Sequence, residues 1–339
     1  MSSADAIEAV LEESGPDYDE YSFERSSSGT RADVFFVTVV VDGAEYEVVV
    51  KFEPEDDPNF DLEPYIQEYV GERTDIPVPG ILVFREDPDQ AVDPYFITAR
   101  IEGDSLTDRL DRIDADAQDR VLAQAGRILG DLHDSIAFEG FGRFELDDGH
   151  LTIRDLSWDW RTYFEDLTEA RIEHLQGTPF EDSADRAREA LDRAIEVVPS
   201  DGTPRLVHDD FRPGNILVDP DREDPITVVL DWQELIAAPE AYNVAQAEFL
   251  FVDSVIQDPD RRAELKATLR EAYRSEHDLA FDEAYEAVAP LYQLSTLLWR
   301  MGAFEDSLED DATELKRARA EAYYRGQFEQ LIDRLPDGE

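Results

Sequence analysis

A carboxylate at Asp210, a carboxamide at Asn215 and a second carboxylate at Asp231 carry the oxygen atoms that hard cations such as Mg2+ prefer. Asn215 opens the apolar run Ile216-Leu217-Val218. Turn residues follow in Asp219-Pro220-Asp221 and Asp224-Pro225, and a second apolar run, Ile226 to Leu230, ends at Asp231-Trp232. This pattern predicts a hairpin, and a hairpin brings its two ends together. Asn215 and Asp231 can then share one metal ion, while Asp210 is left to meet a substrate hydroxyl. Any one of these residues could be an ordinary turn or cap residue. Together, a loop Asp, a loop Asn five residues on and a later metal Asp form the residue set of kinase-type phosphoryl transfer.

Phosphoryl transfer also needs a cation for the donor's phosphates. Lys51 follows Val48, Val49 and Val50 near the end of a predicted strand, and a surface-facing strand residue would explain it equally well in an ordinary chain. Here only Lys51, Lys266 and Lys316 are lysine, so a merely solvated position would more naturally be Asp or Glu. Upstream, the small, flexible segment Ser27-Ser28-Gly29-Thr30 lies in a turn whose backbone N–H groups could cover phosphates.

The elements that must position these residues are readable from hydrophobic period and turn chemistry. Ala4 to Glu13 has helical spacing. Asp33 to Val41 and Ala44 to Phe52 flank Asp42-Gly43, a strong hairpin signal. Asp61 to Arg73 reads as a helix, and Ile81 to Phe84 and Tyr95 to Arg100 as strands. From Ser105 onward helical periods dominate: Ala117 to His133, Trp158 to Leu175, Ala184 to Val197, Ala241 to Ile256, Arg261 to Tyr273, Phe281 to Trp299 and Asp311 to Leu335. The boundary falls near residue 101. Residues 1–101 form a small, mainly β lobe with one main helix, and residues 102–339 a mainly helical lobe interrupted by the hairpin around Asn215 and Asp231.

At this point the sequence resembles the aminoglycoside phosphotransferase, or choline-kinase-like, family of small-molecule phosphotransferases. His208-Asp209-Asp210-Phe211-Arg212-Pro213-Gly214-Asn215-Ile216-Leu217 is similar to that family's His-Gly-Asp-x-x-x-x-Asn loop, with Asp209 in place of the commoner glycine. Leu230-Asp231-Trp232-Gln233 is similar to its Ile-Asp-Trp-Glu segment. Ile76-Pro77-Val78-Pro79, Tyr95 to Gly103 and Leu132-His133 to Phe141-Gly142 extend the likeness over about residues 25 to 250. The resemblance implies an α+β, bilobal protein kinase-like fold and an ATP- and Mg2+-dependent kinase for a small hydroxylated acceptor. It also implies roles. Asp210 would orient or accept the hydroxyl proton; Asn215 and Asp231 would bind Mg2+; Lys51 would contact the nucleotide phosphates. Glu63, or alternatively Glu68, would pair with Lys51. Ile97, Ala99 and Ile101 would present backbone groups to adenine, and Ser27 to Thr30 would cover the phosphates. Counting back five from Asn215 selects Asp210 over its neighbour Asp209. His208 and His133 read as structural histidines. Gln233 replaces the usual glutamate, and Asn243 stands where the pattern usually has Asp. Only six residues separate Asp231 from Ala238, too few for a peptide-binding segment, which favours a small acceptor.

The charge balance excludes other classes. The chain has 82 acidic residues against 31 basic ones, a formal net charge of −51, which repels nucleic acid and anionic membranes. Hydrophobic residues at 42% and aromatic ones at 10% argue for a true core rather than acidic disorder. The composition resembles that of proteins from extreme halophiles, folded in molar salt. No cysteine, no zinc-like histidine spacing, no export signal and no apolar run near the roughly 20 residues of a membrane span predict a soluble, cytoplasmic protein. The acidic field would favour a cationic acceptor, although global acidity carries little substrate information. A nucleotide-binding pseudokinase of the same fold is the alternative, and an acidic scaffold without chemistry a third class. The full set of Lys51, a helix glutamate, Asp210, Asn215 and Asp231 argues against both.

Overall fold

The computed structural model describes residues 2–15, 17–26, 32–54, 59–86, 92–107, 109–305, 308 and 312–336. It opens with α1 (Ser3–Ser14), whose Ser2 side chain caps the helix by accepting the Asp5 N–H. Strands β1 (Glu20–Arg25), β2 (Asp33–Val41) and β3 (Ala44–Phe52), helix α2 (Leu62–Gly71), and strands β4 (Ile81–Arg85) and β5 (Tyr95–Ala99) follow. The five strands form one antiparallel sheet in the order β1-β2-β3-β5-β4. The β2–β3 turn places Asp42 at φ 52° and Gly43 at φ 76°, the positive φ pair that suits the twist of a tight hairpin. Strand alternation then sorts the side chains. Phe35, Val37, Val50, Phe52 and Ile97 point to one face and pack with Ile7, Val10 and Leu11 of α1. Lys51, directly opposite Phe96 in register, points to the other face.

The chain continues through β6 (Asp104–Ser105), α3 (Ala115–Ser135), β7 (Phe141–Asp147), β8 (His150–Ser157), α4 (Trp160–Glu173), α5 (Ala184–Ala194), β9 (Arg205–His208), β10 (Ile216–Val218), β11 (Ile226–Val229), β12 (Leu235–Ala238), α6 (Glu240–Ala247), α7 (Pro259–Glu276), α8 (Glu283–Gly302) and α9 (Glu314–Arg334). Helix α3 packs on α7 at very close range. A Cβ on Gly126 would come 2.3 Å from the Leu269 carbonyl oxygen and one on Gly130 2.8 Å from that of Tyr273, so only glycine admits this approach. Leu62, Ile66 and Val70 of α2 join the large core beneath the helical part. Helix α2 is thereby anchored on the helical side while its Glu63 faces Lys51 on the sheet.

Two features depart from the expected helical architecture after residue 102. The predicted β10–β11 hairpin is present, with β6 as a third strand, but a second sheet of order β8-β7-β12-β9 accompanies it. Its β7–β8 turn, Asp148-Gly149 at φ 47° and 73°, repeats the Asp-Gly chemistry of the first hairpin. The predicted helix 241–256 divides into α6 and a wider π-helical turn over Glu248–Asp253.

Candidate active site

Strand β9 ends at His208, and the chain then turns through Asp209 and Asp210 and a 3-10 turn, Pro213–Asn215, into β10. The two adjacent aspartates have opposite surroundings. Asp209 accepts hydrogen bonds from Arg171 at 2.5 Å, Tyr242 Oη at 2.7 Å and Gln246 Nε2 at 2.9 Å, and its own N–H donates to the Glu234 carbonyl. Arg171 of α4 and Tyr242 and Gln246 of α6 are buried, so Asp209 fastens the loop to the helical core. Asp210 turns instead to its own loop: Asn215 Nδ2 donates to Oδ2 at 2.8 Å, and Arg212 Nε to both carboxylate oxygens at 2.8 and 3.0 Å. Burial raises the Asp210 carboxyl above its ordinary value, with Arg212 and then Arg300 opposing.

His208 sets the loop from behind. Its Nε2 meets the Leu230 carbonyl at 3.0 Å and its Nδ1 accepts the Asp210 N–H at 3.3 Å, which fixes the neutral tautomer with its proton on Nε2. Burial lowers its pKa accordingly. Asn243 donates to the His208 carbonyl at 3.1 Å and meets His133 Nε2 at 3.2 Å. The amide therefore performs a structural task where the family pattern usually has Asp.

At the far end of the hairpin, the Leu230 N–H donates to the Asn215 carbonyl at 2.8 Å, joining the two ends. Asp231 adopts φ 67°, a left-handed conformation that Asp tolerates better than most residues, and Trp232 Nε1 locks the turn on the Val229 carbonyl at 2.9 Å. Lys51 Nζ lies 2.5 Å from Glu63 Oε2 and 3.6 Å from Asp231 Oδ1. Burial by itself would depress the Lys51 ammonium, but Glu63 and then Asp231 hold it above its ordinary value. Glu68, the alternative partner, is exposed. Sheet, helix and hairpin thus converge on one charged cluster.

The sequence model of the phosphotransferase enzyme family, APH, matches residues 22–291. The chain belongs to this family. Among solved structures, a putative aminoglycoside phosphotransferase from Ralstonia eutropha is 16% identical, with a TM-score of 0.64 and coverage of 98% of this chain and 97% of that one. The GDP and kanamycin complex of APH(2")-IIIa is also 16% identical, with a TM-score of 0.62 and 97% of each chain covered. Choline kinase from Cryptosporidium parvum is 13% identical, with a TM-score of 0.57 over 97% of this chain and 96% of that one. These likenesses show the bilobal protein kinase-like fold. A curated relative, the probable acyl-CoA dehydrogenase IBR3 of Arabidopsis thaliana, is 23% identical over 204 residues. These are 58% of this chain but 23% of that protein, so the chain spans under a quarter of its length.

For this phosphotransferase, the donor set can be tested against a divalent cation. Asn215 spends its amide nitrogen on Asp210, and its amide oxygen has no partner among the described residues. The Asp231 side chain is 37% exposed. No cluster of three or more His, Cys, Asp or Glu residues forms a cage among the described residues. One carboxylate with one amide oxygen suits Mg2+, which is commonly held by few protein ligands together with phosphate and water.

The remaining predicted positions divide. Ser27, Ser28, Gly29 and Thr30 lie outside the described residues. Ile97 lies within the sheet, its side chain packed toward α1 and its backbone in register with Val50 of β3 and Val83 of β4. Ala99, the last residue of β5, pairs with Val48 and donates its N–H to the Gly80 carbonyl at 3.4 Å, and Ile101 lies beyond the strand end. Two functional side chains escape the motif-based reading. Arg212 carries a legible signal, a cation two residues after the loop Asp. Arg171 carries none, because it reaches Asp209 from 38 residues earlier in the chain.

Proposed function

We propose that this phosphotransferase uses ATP and Mg2+ to phosphorylate a hydroxyl of a small molecule. The observation that supports this best is the convergence of Lys51, Glu63 and Asp231 within 3.6 Å contacts, beside the Asp210–Asn215 pair. Residues 1–101 would cover the nucleotide, with Ala99 and Ile101 near the base and Ser27 to Thr30 over the phosphates; residues 102–339 would carry the chemistry and the acceptor. Lys51, oriented by Glu63, would hold the nucleotide phosphates. Asp231 and the free oxygen of Asn215 would hold Mg2+, which when bound neutralises phosphate charge.

The acceptor oxygen attacks the γ-phosphorus in line, the bond to the β,γ-bridging oxygen breaks, ADP leaves, and the hydroxyl proton passes to Asp210. Asn215 and Arg212 fix that carboxylate, so its contribution is orientation and proton acceptance. Arg212 also supplies positive charge next to the transferring group. No helix among the described residues is long and apolar enough to cross a membrane, and the acidic composition supports an enzyme working in high salt. The test is Mg2+-dependent ATP consumption with a panel of hydroxylated metabolites in molar KCl. Asp210→Asn is expected to lower kcat by at least about a thousandfold while Mg-ATP still raises the melting temperature. Strong residual turnover would remove Asp210 from its role.

A further inference from the structure

The peptide unit that joins Asp209 to Asp210 is held at both of its polar ends. Its carbonyl oxygen accepts from Gln246 Nε2 at 2.8 Å, and its N–H donates to His208 Nδ1 at 3.3 Å. The next unit is held as well, since Asn215 Nδ2 donates to the Asp210 carbonyl at 3.0 Å. A peptide unit is planar, so fixing its two ends fixes the direction in which the Asp210 side chain leaves the backbone. His208 and Asn215 belong to the loop motif itself. Gln246 reaches in from α6, 37 residues beyond Asp209, and no motif marks it.

The surroundings leave the Gln246 amide one orientation. Its Nε2 faces the Asp209 carbonyl and, at 2.9 Å, Asp209 Oδ1; both are acceptors, so the nitrogen stands there with a hydrogen for each. Its Oε1 accepts from Asn243 Nδ2 at 3.1 Å, a nitrogen that also donates to the His208 carbonyl. Gln246 and Asn243 are fully buried, and hydrogen bonds out of reach of water hold geometry firmly. Asp209 is in turn fixed by Arg171 at 2.5 Å, whose Nη1 donates to Tyr242 Oη and Ser295 Oγ at 2.9 and 3.1 Å. Three helices, α4, α6 and α8, thus meet on the carboxylate that aims the glutamine.

We propose that Gln246 is a positioning residue of the phosphoryl transfer: by clamping the Asp209–Asp210 peptide it sets the line along which Asp210 meets the acceptor hydroxyl. The inference rests on the phosphotransferase reading above. It also gives Asp209 a task at a position where the family pattern commonly has glycine. A buried ion pair adds little net stability over apolar side chains of the same volume, so the return from Asp209 and Arg171 is geometric: a carboxylate that orients Gln246.

The experiment measures ADP formation from Mg-ATP in molar KCl, with the hydroxylated acceptor of highest turnover and with water alone, together with hydrogen exchange over residues 208–217. Gln246→Leu keeps a similar volume and removes both donors. Its kcat should fall at least about tenfold, since a small misplacement of a catalytic group suffices for such a loss, while the KM for Mg-ATP stays within about twofold. The loop should exchange at least about tenfold faster. Leu331→Ala, in the core under α9, is the stability control and should lower the melting temperature without either effect. Gln246→Glu supplies a signature that packing alone would not give. Ionised, its carboxylate faces two acceptors with no hydrogen to donate; protonated, it regains one donor. Its kcat relative to the wild type at the same pH should therefore rise at least about threefold from about pH 8 to about pH 6, and this ratio decides if Gln246→Leu does not fold. A folded Gln246→Leu with unchanged kcat, a loss no larger than in Leu331→Ala, or a Gln246→Glu ratio flat with pH overturns the inference and leaves the phosphotransferase standing. A wild type that forms no ADP fails that reading instead; loop exchange then decides the clamp, supported if faster in Gln246→Leu and overturned if unaltered.

Discussion

Glu63 and Glu68 are five residues apart on one helix, about 140° around its axis at 100° per residue. Only one can face the sheet, and burial of Leu62, Ile66 and Val70 in the helical core decides that it is Glu63. Glu63→Gln keeps the shape but leaves Lys51 with Asp231 as its remaining carboxylate, at 3.6 Å. A loss of about 1–3 kcal/mol in unfolding free energy is expected, together with a higher KM for Mg-ATP. Glu68→Ala should change neither by a measurable amount, and denaturant titration with nucleotide kinetics checks both. At this scale the sequence was legible where chemistry depends on spacing along the chain. Asp210, Asn215 and Asp231 stand in one motif and come together as the hairpin requires. The contrast between Asp209 and Asp210 was legible only as a count of five residues. Its physical basis, the buried Arg171, Tyr242 and Gln246 around Asp209, comes from helices far away in sequence and leaves no local trace.

At the scale of elements, helices and the first hairpin are readable because their signals are local: a period of 3.6, or alternation around an Asp-Gly turn. The β7–β8 hairpin has the same kind of signal, with Phe144 and Leu146 alternating with Arg143, Glu145 and Asp147 ahead of Asp148-Gly149. Strands β9 and β12 have four residues each, too few to establish a period, and their pairing joins segments about 30 residues apart. That pairing holds His208 at the end of β9, and behind it the link from Asn243 to His133 ties α3 to α6. Burial pushes the His133 imidazole down to about 3, from 6.5. The folded state therefore holds it neutral while the unfolded chain protonates it. The stability it contributes is complete above about pH 6.5 and is lost as pH falls toward 3, with no further loss below that. In His133→Gln the dependence of unfolding free energy on pH should be shallower within this window by up to about 1.4 kcal/mol per pH unit. A variant with the wild-type slope would show that His133 does not titrate in this way.

For the whole molecule the dominant quantity is the net charge of −51. Most of the ion pairs, such as Arg186–Glu329 and Arg161–Glu196, involve exposed side chains, where each contributes little, and they leave most carboxylates unmatched. The fold must then hold together against its own repulsion by burying apolar surface, and salt acts on both terms. At 1 M the Debye length falls to ~3 Å, which removes repulsion between all but the nearest carboxylates. KCl is therefore expected to raise the melting temperature by at least about 10 °C between dilute buffer and 2 M, since several kcal/mol of relieved repulsion correspond to about 2–4 °C per kcal/mol in a domain of this order. Sucrose at matched osmolality separates the causes, because it strengthens burial without screening charge. A melting temperature that is equal or lower in KCl would refute adaptation to high salt. A rise matched by sucrose would assign the effect to burial, and only a rise specific to the electrolyte connects it to the acidic surface.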